Sequence, residues 1–272
     1  MKLLFIGDIF GKPGRTLTRE GIPWLVARHK IDLVIANVEN AAGGNGITKE
    51  IGEAFRDHGI DVMTSGNHIW DKKEALEYIE LEPRLIRPAN FPAGVPGVGH
   101  ALASTAAGHN VAVINVMGRV FMAPMDNPFA VVDEEITAVR EKDDIIFVDF
   151  HAEATSEKIA MGWHLDGRVT AMVGTHTHVQ SADQRILPEG TAYITDVGMT
   201  GPHDSVIGVD KSAVLNRFRT GLPARFDAAR GDPRLHAVVI TADASTGRAT
   251  AIERLSLGPE VFTQSAHPTG AA

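Results

Sequence analysis

Short apolar runs alternate with polar tips and helix-like segments in the first part of the chain. The runs, which predict buried β-strands, are Leu3–Ile6, Asp32–Asn37 and Ile60–Thr64. Helices are predicted over Arg15–His29 and from the N-capping residue Thr48 to about Asp57, with Gly11–Gly14 as a turn. This rhythm is typical of an α/β sheet, whose functional residues gather at the carboxyl ends of its strands.

The rest of the chain continues the mixed pattern. Further strands are predicted over Val111–Val116, Ile145–Val148, Thr170–Gly174 and Thr191–Thr195. An antiparallel pair is predicted from Leu235–Ala242 and Arg248–Leu257, and helices over Lys73–Glu80, Glu153–His164 and Ser212–Thr220. Proline and glycine make Arg84–Gly99 an irregular loop. We predict a single domain over residues 1–257, followed by a polar, poorly ordered tail over residues 258–272.

Composition and charge narrow the classes of function. The 272 residues are 44% apolar and 22% charged, as in an ordinary globular protein. The formal net charge of −8 argues against an extended nucleic-acid groove or an anionic membrane surface as a partner. No apolar segment is long enough for a membrane span or a signal sequence, so a cytoplasmic protein is expected. Without cysteine, any metal must be held by His, Asp, Glu or Asn side chains.

Polar side chains with metal-ligand chemistry follow five of the predicted strands. They are Asp8, Glu39, Asn40, Asn67, His68, His151, His176 and His178. Taken singly, each has an ordinary explanation as a turn residue, a helix-flanking residue or a buried imidazole. His176 and His178 lie two positions apart, and in extended backbone both rings would point to the same side. Taken together, these residues favour a metal centre.

The ligand types in this set restrict the metal and the reaction. Carboxylate, amide oxygen and imidazole ligands without thiolate suit Mn, Fe or Zn. The ligands are too many for one tetrahedral ion, so we favour two ions that share a carboxylate. Two ions close together suit in-line displacement at phosphorus.

Several motifs resemble those of calcineurin-like metallophosphoesterases. The motifs are Gly7-Asp8, Asn67-His68, His151 and Gly174-Thr-His-Thr-His178. Longer runs are similar to the YmdB-type branch, the 2′,3′-cyclic-nucleotide 2′-phosphodiesterases. Those runs are Asn37–Gly43, Gly66–Asp71, Arg87–Pro92, Phe150–Ser156, Gly174–Gln180 and Asp196–Gly201. The resemblance spans about residues 1–257.

The resemblance implies a mixed α/β (α+β) fold, a four-layer sandwich of two packed β-sheets flanked by helices. It also implies two transition-metal ions, Fe or Mn with Zn as a further option, bound by two sets of side chains. One set is Asp8, Glu39, Asn40 and His178, and the other is Glu39, Asn67, His151 and His176, with Glu39 bridging. The substrate would be a small phosphodiester, and 2′,3′-cyclic nucleotides would be hydrolysed to 3′-nucleotides. A hydroxide bridging the ions would attack phosphorus, and His68 would be the general acid.

Three positions depart from the wider superfamily. Phe10 stands where that superfamily has a histidine ligand, and Glu39 replaces the usual bridging aspartate. Ile69 replaces the acid that usually follows the motif histidine. Another group must therefore orient His68, and Asp71 is the candidate.

Other interpretations stay open from sequence alone. His68 could make an outer hydrogen bond instead of donating a proton. The chain could be a non-catalytic regulatory protein that keeps this fold, or a phosphatase of a different substrate class. An amidohydrolase-type barrel is disfavoured, because its His-x-His pair follows the first strand. A homo-oligomer is also an option. Five cations are weighed as phosphate contacts: Lys72, Lys73, Arg119, Lys158 and Arg168.

Overall fold

A computed structural model describes residues 1–140 and 145–264 of the chain. Within these residues the chain forms twelve strands and seven helices. The strands are β1 (Lys2–Ile6), β2 (Leu33–Asn37), β3 (Val62–Thr64), β4 (His100–Ser104), β5 (Asn110–Met117), β6 (Ile145–His151), β7 (Ala171–Thr175), β8 (Arg185–Ile186), β9 (Ala192–Ile194), β10 (Gly201–Pro202), β11 (Pro233–Ala242) and β12 (Ala249–Leu257). The helices are α1 (Gly11–His29), α2 (Lys49–Asp57), α3 (Ala75–Leu81), α4 (Pro128–Arg140), α5 (Thr155–Leu165), α6 (Lys211–Thr220) and α7 (Glu260–Gln264).

The strands form two six-stranded sheets. In the first, β1, β2 and β3 are parallel neighbours, β11 pairs antiparallel with β1, and both β10 and β12 pair with β11. In the second, β5, β6, β7 and β9 are parallel, with β4 and β8 as antiparallel edge strands. The predicted antiparallel pair of β11 and β12 is confirmed.

The two sheets pack face to face on a shared apolar core. Phe5 of β1 and Phe147 of β6 stack across it, with ring centroids 5.2 Å apart. Ile35 of β2 and Val113 of β5 belong to the same buried cluster. Because alternate residues of a strand point to opposite faces, the residues between these core positions point outward, toward the flanking helices.

Helices cover the outer face of each sheet. Leu4 of β1 lies in one buried cluster with Leu25 of α1. Val148 of β6 lies in another with Ile136 of α4. The order helix, sheet, sheet, helix confirms the predicted four-layer sandwich and its mixed α/β class.

Several local elements differ from the sequence predictions. Gly11–Gly14 forms the first turn of α1 instead of a separate turn. Pro13 is tolerated there because the first N–H groups of a helix have no intrahelical acceptor. The sequence pattern did not predict α4, which is rich in β-branched residues that are less common in helices. It also did not predict β4, which is half-exposed and contains no β-branched residue. Thr48 caps α2 as predicted, with Oγ1 accepting the Ile51 N–H at 3.3 Å.

The segment predicted as a poorly ordered tail begins with a helix. Phe262 of α7 joins the outer cluster of the first sheet, and its ring centroid lies 5.9 Å from that of Trp24 in α1. Glu260–Gln264 is helical, and the poor order expected of the tail stays a prediction. The rest of the predicted tail, residues 265–272, lies outside the described residues. The single-domain boundary at residue 257 stays a prediction.

Candidate metal centre

The carboxyl ends of five strands, three from the first sheet and two from the second, meet at one cavity of about 540 Å³. The predicted site residues that line this cavity are Glu39, Asn40, His68, His176 and His178. The other three, Asp8, Asn67 and His151, hydrogen-bond or ion-pair with residues of this set or with each other. The fold thus brings all eight predicted residues to one place.

Four of the predicted ligands form a cluster around the His151 ring, which we call the His151 cluster. His151 Nε2 lies 3.0 Å from Glu39 Oε1, 3.0 Å from Asn67 Oδ1 and 3.1 Å from His176 Nδ1. Glu39, His151 and His176 present potential ligand atoms that all lie within 4.8 Å of one another. These four residues are the set that the resemblance assigns to one ion.

Outer polar contacts, a hydrogen bond for His151 and an ion-pair contact for His176, position both imidazoles of the His151 cluster. His151 Nδ1 lies 2.9 Å from Thr175 Oγ1, which donates to Asp149 Oδ1 at 2.7 Å. His176 Nε2 lies 3.1 Å from Glu153 Oε2. A histidine that binds a metal through one nitrogen usually donates its other N–H to such a partner. The inner nitrogens, His151 Nε2 and His176 Nδ1, are therefore the ones left for a metal.

Buried carboxylates make the His151 cluster favourable for a cation. Burial lowers the pKa of His151, but the Glu39 carboxylate, with Asp8 and Asp149, outweighs it and raises that pKa to about 9. Burial raises the pKa of Glu39, but His151 outweighs it and lowers that pKa to about 2. Burial, together with the His151 charge, lowers the pKa of His176 to about 3. The buried carboxylates therefore stabilise one positive charge in this cluster, and a bound metal cation would supply that charge in place of a proton on His151.

The other predicted ligand set contains two buried oxygens without a hydrogen-bond partner. Asp8 is fully buried, and its Oδ2 accepts the His176 N–H at 3.2 Å. Asp8 Oδ1 and Asn40 Oδ1 have no partner in the described part of the chain. Burial raises the pKa of Asp8. A buried polar atom without a partner lowers the stability of the folded protein by about 1–3 kcal/mol. A bound cation would give both oxygens a partner and remove that cost.

The sequence pattern predicts that His176 and His178 point to the same side of an extended strand. The structure differs, because neither residue has extended backbone. Strand β7 ends at Thr175, and the two histidines have positive φ angles of 99° and 65°. The left-handed backbone breaks the alternation of side chains on which that argument rested. Both rings nevertheless line the same cavity, and His178 Nδ1 lies 2.9 Å from the Ile207 carbonyl oxygen.

A buried ion pair anchors the loop that carries these histidines. Asp196 Oδ2 accepts the Thr177 N–H at 3.1 Å and the Thr177 hydroxyl at 2.8 Å. The same oxygen lies 2.7 Å from Lys158 Nζ, and both charged side chains are buried. This burial removes Lys158 from the cations weighed for phosphate contact.

Phe10, at the position of the missing histidine ligand, forms part of the cavity wall. The ring is buried and lies edge-on to His178, with centroids 5.7 Å apart. Gly44 and Gly208 leave room for the Phe10 ring. A Cβ atom added at Gly44 would lie 2.9 Å from the nearest ring atom, and one added at Gly208 would lie 2.8 Å from the ring atom nearest to it. The ring therefore packs beside a proposed ligand in place of binding metal.

His68 has the partner that the sequence suggested. Its Nδ1 lies 2.8 Å from Asp71 Oδ2, which also accepts from Asn45 Nδ2 at 2.9 Å. The His68 backbone N–H donates to Glu39 Oε2 at 2.8 Å. The ring thus stands at the cavity beside the Glu39 carboxylate, held by an acid two residues from the position that the wider superfamily uses.

Sequence reasoning missed the groups that orient the ligands. Glu153, Thr175 and Asp196 lie within the quoted motifs, so their proximity to predicted ligands was the available signal. Asp149 follows the predicted strand Ile145–Val148 but lies inside β6, which continues to His151. Ile207 has no local signal, because its contact with His178 joins residues 29 positions apart.

A sequence model described as YmdB-like protein matches residues 4–255. The chain belongs to the YmdB-like family. It is 51% identical over 260 residues to the 2′,3′-cyclic-nucleotide 2′-phosphodiesterase of Bacillus subtilis (strain 168), covering 96% of this chain and 98% of that relative. The eight predicted site residues fall inside the matched range.

Two solved structures are similar to this chain in fold and in sequence. A hypothetical protein from Thermus thermophilus aligns with a TM-score of 0.89 and 43% identity, over 95% of this chain and 99% of that one. A phosphatase from Mycoplasma pneumoniae aligns with a TM-score of 0.89 and 34% identity, over 97% and 96% of the two chains. In the described part of this YmdB-like chain, no helix is long and apolar enough to span a membrane.

Proposed function

We propose that this YmdB-like protein is a dinuclear metal-dependent phosphodiesterase that hydrolyses 2′,3′-cyclic nucleotides to 3′-nucleotides. The observation that carries the proposal is the His151 cluster, which shares one cavity with the unpartnered oxygens of Asp8 and Asn40. The name of the Bacillus subtilis relative, 51% identical, supports the choice of substrate. A cavity of about 540 Å³ suits a mononucleotide, since small-molecule sites span roughly 300–1,000 Å³.

Two ligand sets would hold the metals, with Glu39 in both. One set is the His151 cluster, and the other is Asp8, Glu39, Asn40 and His178. Imidazole, carboxylate and amide oxygen serve Fe, Mn and Zn alike. When bound, the ions would neutralise charge on the phosphoryl group and lower the pKa of a water molecule.

His68 is the residue proposed to supply the proton that the reaction needs. Hydrolysis breaks the bond between phosphorus and O2′ and adds water, so O2′ must gain a proton while the 3′-phosphate stays on the ribose. The His68 ring lines the cavity, and Asp71 holds its Nδ1 at 2.8 Å. That hydrogen bond leaves Nε2 to face a leaving group, and imidazole can carry a transferable proton near neutral pH.

Metal analysis combined with a substrate panel tests the proposed function. Purified protein reconstituted with Mn²⁺, Fe²⁺ or Zn²⁺ is expected to bind two ions per chain. It should convert 2′,3′-cyclic AMP to 3′-AMP, leave 3′,5′-cyclic AMP largely unchanged, and act poorly on an aryl phosphate monoester. A preference for the monoester, or no turnover with any reconstituted metal, would contradict the proposal. Accumulation of 2′-AMP would contradict the assignment of the broken bond.

Replacing Glu153 by glutamine is expected to weaken binding of one ion about 10- to 100-fold. Glu153 Oε2 lies 3.1 Å from His176 Nε2, so its charge is expected to favour the tautomer of His176 that leaves Nδ1 free for a metal. Chelator titration followed by metal analysis measures the change. Glu253→Gln is a matched control, because Glu253 pairs with His29 at 3.6 Å on β12 and lines no part of this cavity. Equal loss in both variants would argue against the role of Glu153.

A further inference from the structure

One part of the wall of the candidate metal centre's cavity is apolar, whereas another part carries the proposed metal ligands. Ile207, Val209 and Phe226 line it, and we call these three residues the apolar shelf. Ile207 is 54% exposed and Phe226 is 44% exposed, although both are large apolar side chains. Ligand sites combine apolar walls with a few placed polar groups, and exposed apolar surface inside a concave site marks a contact surface.

Ile207 is held in a backbone conformation that its side chain disfavours. Val206 and Val209 exchange two backbone hydrogen bonds of 2.9 Å and 3.0 Å, so Ile207 and Gly208 are the central residues of a tight hairpin turn. Their φ angles are 46° and 99°. Such a turn favours Asn-Gly, and a β-branched residue at positive φ is strained.

The strain is not needed to orient His178. His178 Nδ1 contacts the Ile207 carbonyl oxygen, a backbone group that asparagine at the same position would also provide. The isoleucine side chain contributes something else, namely apolar surface facing the cavity. Strained residues of this kind concentrate at functional sites.

Backbone pairing joins the two segments of the apolar shelf into one unit. Val209 bridges Ala228, and the Ala229 N–H donates to the Gly208 carbonyl at 2.9 Å. The Arg217 guanidinium lies 5.4 Å from the centroid of the Phe226 ring and helps to hold the ring at the cavity. The shelf is therefore supported by hydrogen bonds and a cation–π contact before any ligand arrives.

We propose that the apolar shelf is the subsite for the base of a 2′,3′-cyclic nucleotide, with Ile207 and Phe226 as its main contacts. This inference rests on the proposed function, since the phosphate must lie at the ligand-bearing wall of the same cavity. A base has two apolar faces, and an aromatic ring and a branched aliphatic chain are suited to pack against them. The side chains of the shelf offer carbon atoms and no hydrogen-bond donor, so they recognise the presence and size of a base more than its identity.

Two substrates that differ only in the base test the subsite. They are 2′,3′-cyclic AMP and methyl β-D-ribofuranoside 2′,3′-cyclic phosphate, which has the same reacting group and no base. We expect wild-type kcat/KM to favour the adenosine substrate by roughly 5- to 150-fold, the range for stacking one base on an aromatic side chain. Phe226→Ala and Ile207→Asn should each reduce that ratio several-fold. Phe218→Ala is the matched control, because Phe218 is 82% exposed on α6 and lines no part of the cavity, and it should keep the wild-type ratio.

A second readout separates the shelf from a structural role. Because asparagine relieves the strained turn, Ile207→Asn is expected to raise Tm by about 2–4 °C while the substrate ratio falls. A higher Tm with an unchanged ratio would overturn the role of Ile207. Equal wild-type kcat/KM for the two substrates would overturn the subsite and leave the phosphodiesterase proposal standing. Hydrolysis of neither substrate would overturn the proposed function and the subsite with it.

Discussion

Replacing His68 by alanine is expected to lower kcat for 2′,3′-cyclic AMP by about 10²- to 10⁴-fold while both metal ions stay bound. The loss follows from the proposed proton donation to O2′, for which His68 is placed at the cavity by Asp71. Metal binding should survive because the contact of residue 68 with Glu39 is made by the backbone N–H, at 2.8 Å, and alanine keeps that group. Steady-state kinetics and metal analysis of the same preparation measure the two effects together.

An activated substrate distinguishes proton donation from a general loss of activity. The 4-nitrophenolate of bis(4-nitrophenyl) phosphate is a far weaker base than the ribose O2′ alkoxide, so it leaves without a proton donor. His68→Ala should therefore lose much less activity on that diester than on the cyclic nucleotide. His109→Ala, an exposed histidine in the turn between β4 and β5, should change neither rate. Wild-type turnover of the cyclic nucleotide by metal-loaded His68→Ala would reject the acid role.

Much of the centre could be predicted from sequence because functional residues of α/β sheets gather at the carboxyl ends of strands. Each apolar run fixed the position of a strand, and parallel strands deliver the residues after them to one edge of a sheet. Asp8, Glu39 and Asn67 needed no further information for their placement. His151 and His176 come from the second sheet, and only the packing of the two sheets puts His151 Nε2 3.0 Å from Glu39 Oε1.

Long-range contacts set the limit of that prediction. The loop of His176 and His178, which has left-handed φ angles, is hydrogen-bonded to Asp196 and to the Ile207 carbonyl, and both lie far along the chain. A local pattern of apolar and polar residues carries no information about such partners. Thr175 could not be recognised as the partner of His151 for two reasons. The two residues lie 24 positions apart, and threonine is common in β-strands.

Glu39 is the proposed link between the two metal sites, and its position suits a glutamate in place of the usual aspartate. The side chain is almost fully buried, and its two oxygens face different groups. Oε1 lies 3.0 Å from His151 Nε2, whereas Oε2 accepts the His68 N–H at 2.8 Å. A longer side chain at this position reaches the His151 cluster from the end of β2 and also lines the cavity that Asn40 and His178 line.

Replacing Glu39 by glutamine is therefore expected to release both ions and to lower turnover at least about 100-fold. Loss of a residue that only supports a ligand costs roughly 10- to 100-fold, and a shared charged ligand should cost more. His176→Ala and His178→Ala are the matched comparisons, because each belongs to one proposed set only. His176→Ala should release mainly the ion held with Asn67 and His151, and His178→Ala mainly the ion held with Asp8.

Metal content per chain after gel filtration, measured for the three variants beside wild type, decides between a shared and an unshared Glu39. Urea unfolding of the metal-free proteins checks that each variant still folds. Two ions retained by Glu39→Gln would remove Glu39 as the bridge. Release of both ions by His176→Ala alone would show that the two sets do not bind independently, and the division of ligands between Asp8 and His151 would then have to be redrawn.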